Sequence, residues 1–446
     1  MFGGSGTKAR ALRGTIMTAL QVGGGNALRL VSNLILTRLL FPEAFGLMAL
    51  VQIFVYGLQT FSDVGINTML IQNKRDDPVF VNTLWTMQII RGVLLWGGAC
   101  ALALPAAWLY DQPQLTGLLP IAAFSMVILG FRTTREAQAK RVLKLERVIT
   151  LELSAQLVGL VCMALLAWWL QSVWALAIGT VVNACITVAV MHVFLPGAPN
   201  RLCWDWQVVK NSLGFGSFLL LSSTAGFFHN MGAQMVLGVY VPVGLLGLYH
   251  IAKQLSALPG TLAMTVSRNV IFPLYRMSPP TESAQNQANV FRARRLVSLF
   301  AISITTFVAL TGDWIVIILF DPNYELAGPM LVLMALAALP AQGYIGIYES
   351  LSASGDSKRQ FYLSFVKAAM QMSLLLLLVP IAGVPMAILA PAIASLFIYP
   401  YQAVLTNRYK AWDAIGEISL ILFGLGLAAL IAWLKWEALK PLFISQ

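Results

Sequence analysis

Charge is what this chain has least of. Only 11% of its 446 residues are Asp, Glu, Lys or Arg, against 58% hydrophobic, and the mean hydropathy is +0.77. So few charged side chains cannot cover a water-soluble fold of this length, which excludes an ordinary soluble domain. Histidine is scarcer still: His192, His229 and His250 are widely separated, and each reads as an isolated helix residue rather than a catalytic base. Of four cysteines, Cys100, Cys162 and Cys185 fall in apolar stretches and Cys203 between two of them, which excludes a disulfide framework and metal-ligand spacing. No zincin pair, nucleophile elbow, P-loop or strand-led glycine fingerprint occurs. The chain therefore reads as no enzyme, with no resident cofactor.

Long apolar runs are what the chain does have. A helix crossing a ~30 Å hydrocarbon core takes about 20 apolar residues. Thirteen stretches qualify or nearly so: 15–40, 44–72, 81–109, 115–135, 148–170, 173–194, 213–238, 243–273, 296–319, 327–352, 361–379, 386–405 and 416–434. An all-α polytopic membrane protein of about 12 to 14 transmembrane helices is expected.

Charge orients it. With the N-terminus inside, the run Arg132, Arg135, Lys140, Arg141, Lys144 and Arg147 falls in an inner loop, as do Lys8, Lys74, Arg75, Arg276, Arg292, Arg294, Arg295, Lys358 and Arg359. Outer loops before residue 435 hold no Lys or Arg and carry Glu43, Asp111, Asp321 and Glu325 instead, in accord with the positive-inside rule. This spread accounts for the net charge of +11 and leaves no gathered basic face for a nucleic-acid partner. The start, MFGGSGTKARALRG, is expected to be an uncleaved cytoplasmic segment. Outer loops are short, too small to carry the chemistry of an external glycosyltransferase or polymerase. Trp108, Tyr110, Trp168, Trp169, Trp174, Trp433 and Trp436 near outer boundaries, and Trp204, Trp206 and Trp412 near inner ones, form interfacial belts.

A register shift of 201 residues lays LLFPEAFGLMALVQ, 39–52, over YVPVGLLGLYHIAK, 240–253, so that Gly46-Leu47 meets Gly247-Leu248, Asn33 meets Gln234 and Arg29 meets Asn230. Six spans precede residue 200, an even number, so two repeats would share one orientation about an axis along the membrane normal. The expected division is a cytoplasmic N-terminus 1–14, an N-lobe 15–194, a linker 195–212, a C-lobe 213–405, and an additional C-terminal helix and tail 406–446.

TRLLFPEAFGLMALVQIFVYGLQTFSDVGINTMLIQ, 37–72, resembles the opening signature of the Wzx-type lipid-linked oligosaccharide flippases, the polysaccharide transporter family of the multidrug/oligosaccharidyl-lipid/polysaccharide exporter superfamily. LGLYHIAKQLSALPGTLAMTVSRNVIFPLYRM, 246–277, is similar to the second-lobe counterpart, and residues 319–358 to the later hairpin. The resemblance implies two pseudo-symmetric six-helix lobes around a central cavity that opens alternately to either side. It implies as cargo an undecaprenyl-diphosphate-linked oligosaccharide, moved across a bacterial inner membrane for exopolysaccharide, capsule or O-antigen synthesis, with a polymerase and export machinery as further partners. A multidrug exporter of the same superfamily, a lipid-linked peptidoglycan precursor flippase and a non-transporting scaffold are the alternatives. The thirteenth span departs from the family's common even count and would leave Lys435 and Lys440 outside, against the charge rule.

An isolated charge at mid-bilayer costs at least ~2.5–3.5 kcal/mol, so each needs a partner or water. Six basic residues fall inside the spans: Arg29, Arg38, Arg91, Lys253, Arg268 and Lys367. Arg38 is near the outer boundary and snorkels or pairs with Glu43. Hairpin counting puts Arg91 at the depth of Asp63, and Lys367 at that of Glu349, so two ion pairs are expected. Asp63 also belongs to the polar stripe Gln52, Tyr56, Gln59, Asp63, Asn67. It reads either as a proton- or sodium-coupling carboxylate or as an ion-paired wall residue. Arg29 and Lys253 have no obvious acidic partner and lie ~15 Å deep, one in each lobe. Two such cations suit a diphosphate, with Asn33, Asn230, Gln234, Tyr249 and Ser256 nearby and Arg268 placed to meet the head group first. Satisfaction of Arg29 by helix carbonyls is the other reading. Gly23-Gly24-Gly25 and Pro259-Gly260 are candidate bends or close-packing sites.

Overall fold

The computed structural model describes residues 21, 23–63, 65–72, 77–141 and 145–444. The expected cytoplasmic segment 1–14, the start of the first span, Lys74, Arg75, Lys144 and the side chain of Asn67 lie outside the described residues. Helices dominate, since a chain in hydrocarbon must satisfy its backbone internally. They are α1 (23–37), α2 (Pro42–Phe61), α3 (Ile66–Gln72), α4 (Pro78–Leu109), α5 (Leu115–Gly130), α6 (Arg135–Arg141), α7 (Leu145–Leu170), α8 (Trp174–Phe194), α9 (Trp206–Tyr240), α10 (Val243–Val266), α11 (Phe272–Met277), α12 (Ala284–Leu319), α13 (Ala327–Gln342), α14 (Tyr348–Ala353), α15 (Ser357–Asn407), α16 (Ala414–Leu434), α17 (Trp436–Leu439) and α18 (Pro441–Ile444). A π segment, Ser267–Ile271, follows α10.

Among the described residues eight helices are long and apolar enough to cross a membrane, or nine if α5 and α6, bent by 62°, form one broken span. The expected spans 361–379 and 386–405 both lie in α15, where Ala382 and Gly383 leave helical geometry and Gly383 takes φ +48. Pro380 and Pro385 flank that break, each removing an intrahelical donor. The expected span 44–72 is also interrupted. Helix α2 ends at Phe61, Gly65 takes φ +73, and the Asp63 carboxylate accepts from the Gly65 amide at 2.9 Å.

The chain divides into two compact units, Met1–Thr224 and Ala225–Gln446. The boundary falls inside α9, which begins within the segment expected to be a linker. In the first unit α5 packs on α2, α4 and α8, and α7 on α8. Helices α4 and α5 approach so closely that a Cβ on Gly92 would stand 2.6 Å from the Met126 carbonyl oxygen, a small-residue contact typical of membrane helix pairs. At one end Ile66, Leu70, Phe80, Leu84, Ala137 and Val208 form a buried cluster. Beside it the Arg135 guanidinium caps α8 by donating to the carbonyls of His192 (3.1 Å), Leu195 (2.8 Å) and Ala198 (3.0 Å), groups a helix end leaves unpaired.

In the second unit α13 is the central element, with α10, α12, α15 and α16 around it. The segment Pro322–Gln342 is 67% buried although it is a span by length and hydropathy. Three ion pairs lock the ends of this unit. At one end Arg294 of α12 donates to Glu417 of α16 at 2.5 Å and to the Ala411 carbonyl at 2.6 Å. Both side chains are buried. The Tyr399 hydroxyl donates to the other Glu417 oxygen at 2.9 Å, and the Trp412 indole donates to Tyr399 at 3.2 Å. Next to it Arg295 holds Asp413 through two bonds of 2.6 and 2.7 Å, and Asp413 caps α16 by accepting from the Gly416 amide at 3.1 Å. Burial pushes the Asp413 carboxyl up, but the bonds from Arg295 and Gly416 outweigh it and hold the group below the ordinary carboxylate range.

At the other end Lys435 donates to both oxygens of Asp313, at 2.9 and 2.8 Å, and lies 5.7 Å from the Trp314 ring centroid. Of the expected aromatic belts, Trp108 at 83%, Trp169 at 76% and Trp206 at 72% are exposed, whereas Tyr110 is buried and Trp174 and Trp412 are half-buried.

Glu417→Ala leaves the Arg294 guanidinium buried and unpaired, which is expected to cost about 3–5 kcal/mol, while Arg294→Met with Glu417→Leu restores most of it. Thermal melting in detergent checks both. The Asp413 contribution is fully present above about pH 4 and is lost as pH falls through the lower folded-state value. Arg295→Ala is therefore expected to lower the melting temperature at pH 7 and to have little further effect at strongly acid pH.

Candidate functional site

Three polar faces meet inside the second unit. On α10, His250, Lys253 and Gln254 recur at helical spacing and share one side. On α9, Asn230 and Gln234 are one turn apart, with His229 beside them. On α15, Lys367 and Gln371 are one turn apart. The ammonium of Lys253 donates to the backbone carbonyl of Asn230 and to Gln234 Oε1, the latter at 2.8 Å. Because that oxygen is taken, the Gln234 amide nitrogen faces His250 Nδ1 at 2.8 Å. His250 and Gln234 are buried, so Lys253, Gln234 and His250 form one chain, and the Gln254 amide nitrogen meets the other ring nitrogen of His250 at 2.5 Å. On the other side of α9, His229 Nδ1 meets Gln371 Oε1 at 2.7 Å, and Gln371 Nε2 donates to the His229 carbonyl at 3.0 Å. Lys253 and Lys367 both lie within electrostatic reach of the His229 ring.

The remaining expected site residues are placed as follows. Arg29 is exposed on α1 and, among the described residues, takes part in no hydrogen bond or ion pair. Asn33, one turn on, is half-buried. Asn230 is exposed and its amide donates to the Gly226 carbonyl at 2.8 Å. Tyr249 is buried at 4% exposure, facing the packing of the unit. Ser256 donates to the Lys253 carbonyl at 3.0 Å. Arg268 is exposed in the π segment, with Glu349 as its electrostatic neighbour.

Neither expected ion pair occurs among the described ones. Arg91 donates to the Ser62 hydroxyl at 3.0 Å and to the Gln59 carbonyl at 2.7 Å, so it caps the end of α2. Asp63 is close enough to act on it electrostatically but spends its carboxylate on the break at Gly65. Glu349, on α14, has Arg268 rather than Lys367 as its electrostatic neighbour. Depth counting assumed a plain hairpin there, whereas α14 and Gly346, with φ +82, intervene. Sequence reasoning also passed over His229, His250 and Gln371, which hold the cluster together. The i to i+4 spacing of Lys367 and Gln371 was the available signal.

The inward-turned polar groups on apolar helices define a multi-pass membrane protein of the transporter kind. The fold agrees. The chain is similar to the lipid II flippase MurJ in an inward closed conformation, with a TM-score of 0.69 at 12% identity over 97% of this chain and 98% of that one. It is similar also to the MATE transporter VcmN of Vibrio cholerae, with a TM-score of 0.60 at 12% identity over 92% and 98% of the two chains. The chain belongs to the polysaccharide biosynthesis protein family, whose model matches residues 35–328. Curated relatives include the amylovoran biosynthesis protein AmsL of Erwinia amylovora, 24% identical over 66% of this chain and 75% of the relative. The lipopolysaccharide biosynthesis protein WzxC of Escherichia coli (strain K12) is 22% identical over 73% and 65%, and the succinoglycan biosynthesis transport protein ExoT of Rhizobium meliloti (strain 1021) 22% over 70% and 63%. The match thus spans somewhat less than two thirds of the length of the last two.

Because Arg91 is satisfied by Ser62 and a carbonyl, Asp63→Asn is expected to shift stability by less than about 0.5 kcal/mol. Arg91→Met leaves the Gln59 carbonyl and Ser62 without their donor and is expected to cost about 1–3 kcal/mol. Melting of the two purified variants in detergent orders them, and a larger loss in Asp63→Asn would restore the direct ion pair.

Proposed function

We propose that this protein is a flippase that carries an undecaprenyl-diphosphate-linked oligosaccharide across the bacterial inner membrane for polysaccharide synthesis. The N-terminus is then cytoplasmic, and no catalytic chemistry is required of the chain. The observation that carries the reading is Lys253: an ammonium on α10, a helix packed against the central α13, whose partners are a carbonyl and an amide oxygen, with no carboxylate among its described partners. A cation held by neutral groups keeps its net charge, and an anionic head group entering from water can exchange hydration for it. Family membership supplies the class of cargo, and relatives named for amylovoran, lipopolysaccharide and succinoglycan synthesis support a glycan.

Asn230 and Gln234, beside Lys253, fix its position. Arg29 is assigned as a further anion contact on the first unit, and Arg268 as an exposed one near the end of α10. Transport against a gradient requires an ion, proton or sodium, and a polymerase and export machinery are the partners that would consume the product. Basic rather than acidic unpaired groups in the spans disfavour a cationic drug as cargo.

Deletion of the gene is expected to cause a diphosphate-linked glycan to accumulate on the inner leaflet and exported polysaccharide to disappear. Complementation with Lys253→Gln should restore about a tenth or less of export, the loss of one charge-assisted contact being worth about 1.5–3 kcal/mol. Lipid extraction with leaflet labelling reads the outcome. Deletion with no accumulating lipid-linked glycan, or full export by the Lys253→Gln protein, defeats the proposal.

A further inference from the structure

The break between α5 and α6 gathers charge of both signs around one cavity of the first unit. Helix α5 ends at Gly130, α6 begins at Arg135, and the two are bent by 62°. In the break Arg132 lies between two carboxylates, its Nη2 donating to Glu152 Oε1 of α7 at 2.6 Å and its Nε 2.5 Å from Glu136 Oε2 of α6. Lys140, one turn beyond Glu136, donates to Glu136 Oε1 at 2.6 Å, and Gln21 donates to Glu152 Oε2 at 2.5 Å. Thr133 and Thr134 are buried and fixed by Asn200, which accepts from the Thr133 hydroxyl at 3.0 Å and donates to that of Thr134 at 2.7 Å.

These side chains, with Gln88 of α4 and Leu70 and Ile71 of α3, line a cavity of about 210 Å³. That is smaller than the ~300 Å³ at which sites for drug-sized ligands begin, so it suits a small occupant or one ring of a larger one. Its chemistry is unlike that of the Lys253 cluster. Arg132 and Lys140 are matched by Glu136 and Glu152, so the lining is neutral overall and charge alone draws in neither an anion nor a cation.

What the walls offer is hydrogen bonding in both directions. Arg132 and Lys140 keep 31% and 35% of their side-chain surface open. Arg132 Nη1 has no acceptor among the described residues, and the Lys140 ammonium has two hydrogens beyond the one given to Glu136. Gln88 spends its amide nitrogen on the Leu129 carbonyl at 3.1 Å, and no described residue donates to its oxygen. Leu70 and Ile71 supply an apolar side. Donors and acceptors interspersed beside an apolar wall match a sugar ring, whose hydroxyls each give and take a hydrogen bond and whose C–H face is apolar. A phosphate that only accepts would set its oxygens against Glu136 and Glu152.

We propose that this cavity is a subsite for one uncharged sugar ring of the lipid-linked glycan, with Arg132 and Lys140 donating to its hydroxyls, Gln88 and Glu152 accepting from them, and Leu70 and Ile71 against its apolar face. This rests on the flippase reading and deepens it. With the N-terminus cytoplasmic, the cavity lies on the side from which the cargo arrives, so the glycan itself is read there and not only the charge of its carrier. The ion pairs hold the polar groups in fixed positions, and a ring lacking a hydroxyl would leave one of them without its partner.

The test uses the purified full-length protein and the oligosaccharide freed by mild acid from the lipid-linked glycan of the deletion strain, a probe that carries no phosphate. Saturation-transfer NMR is expected to show binding at about millimolar strength, with transfer concentrated on one ring. Lys140→Met should weaken it about tenfold or more and Gln88→Leu about fivefold, the losses of a charged and of an uncharged hydrogen bond. Lys210→Met, at an exposed position of α9 outside the lining, should keep wild-type affinity. Inorganic pyrophosphate and glycerophosphoethanolamine should not displace the probe. No binding by the wild type up to about 20 mM, undiminished binding in Lys140→Met or Gln88→Leu, or displacement by either phosphate compound overturns the inference and leaves the flippase reading standing. A deletion strain that accumulates no lipid-linked glycan overturns both.

Discussion

In hydrocarbon no water is present to complete a polar side chain, so every charged or amide group on these helices must find its partner in the protein or face a wet surface. That constraint sorts the charged residues of the second unit into two kinds. Arg294 with Glu417, and Lys435 with Asp313, are closed pairs: donor and acceptor sit on different helices, and the net charge of each is zero. Lys253 and Lys367 are not closed in this way. Lys253 is held by a carbonyl and an amide, and Lys367 stands beside a glutamine that serves the neighbouring histidine. A protein that only needed stability would have no use for cations of the second kind, since an apolar residue of similar volume packs as well without the desolvation cost.

The two kinds also differ in where they sit. The closed pairs join α12 to α16 at one end of the second unit and α12 to the start of α17 at the other. Between them α13 is buried, so the scaffold is pinned at its ends. Lys253, ten residues into α10, is ~15 Å along the helix axis, far from either lock. Pinning the ends fixes the helices that carry the cluster without neutralising it. Gly416 shows how tightly the lock is made: a Cβ there would stand 2.4 Å from Arg295 Nε, so a larger residue would displace the guanidinium that holds Asp413.

Apolar run length and loop charge were legible in the residues, because both follow from bilayer thickness and from topology and need no knowledge of packing. The partners were not. Asp313 and Lys435 are 122 positions apart and His229 and Gln371 are 142 apart, and no local pattern announces such a meeting. Asp63 illustrates a different failure. Its i to i+4 spacing from Gln59 extended a helical stripe through a sequence, Ser62-Asp63-Val64-Gly65, that also carries turn residues. Once Gly65 takes positive φ the stripe ends, and the carboxylate becomes a cap. Glu349 and Lys367 failed likewise, because equal counts from a loop centre give equal depth only if the loop contains no helix of its own.

A carrier that binds a multiply charged lipid head with fixed cations alone faces a difficulty at the moment of release. In a medium of low dielectric each cation's attraction is large, and affinity sufficient for capture from one leaflet is also affinity against departure into the other. Conformational change can separate the cations, whereas Lys253, Gln234 and His250 are hydrogen-bonded in sequence. His229 and His250 differ in wiring and not in residue type: His250 has the same ring on the adjacent helix, yet its Nδ1 is occupied by an amide whose other end is committed to Lys253. A single glutamine, Gln371, oriented by a backbone carbonyl, thus fixes the proton of the neutral His229 ring on Nδ1.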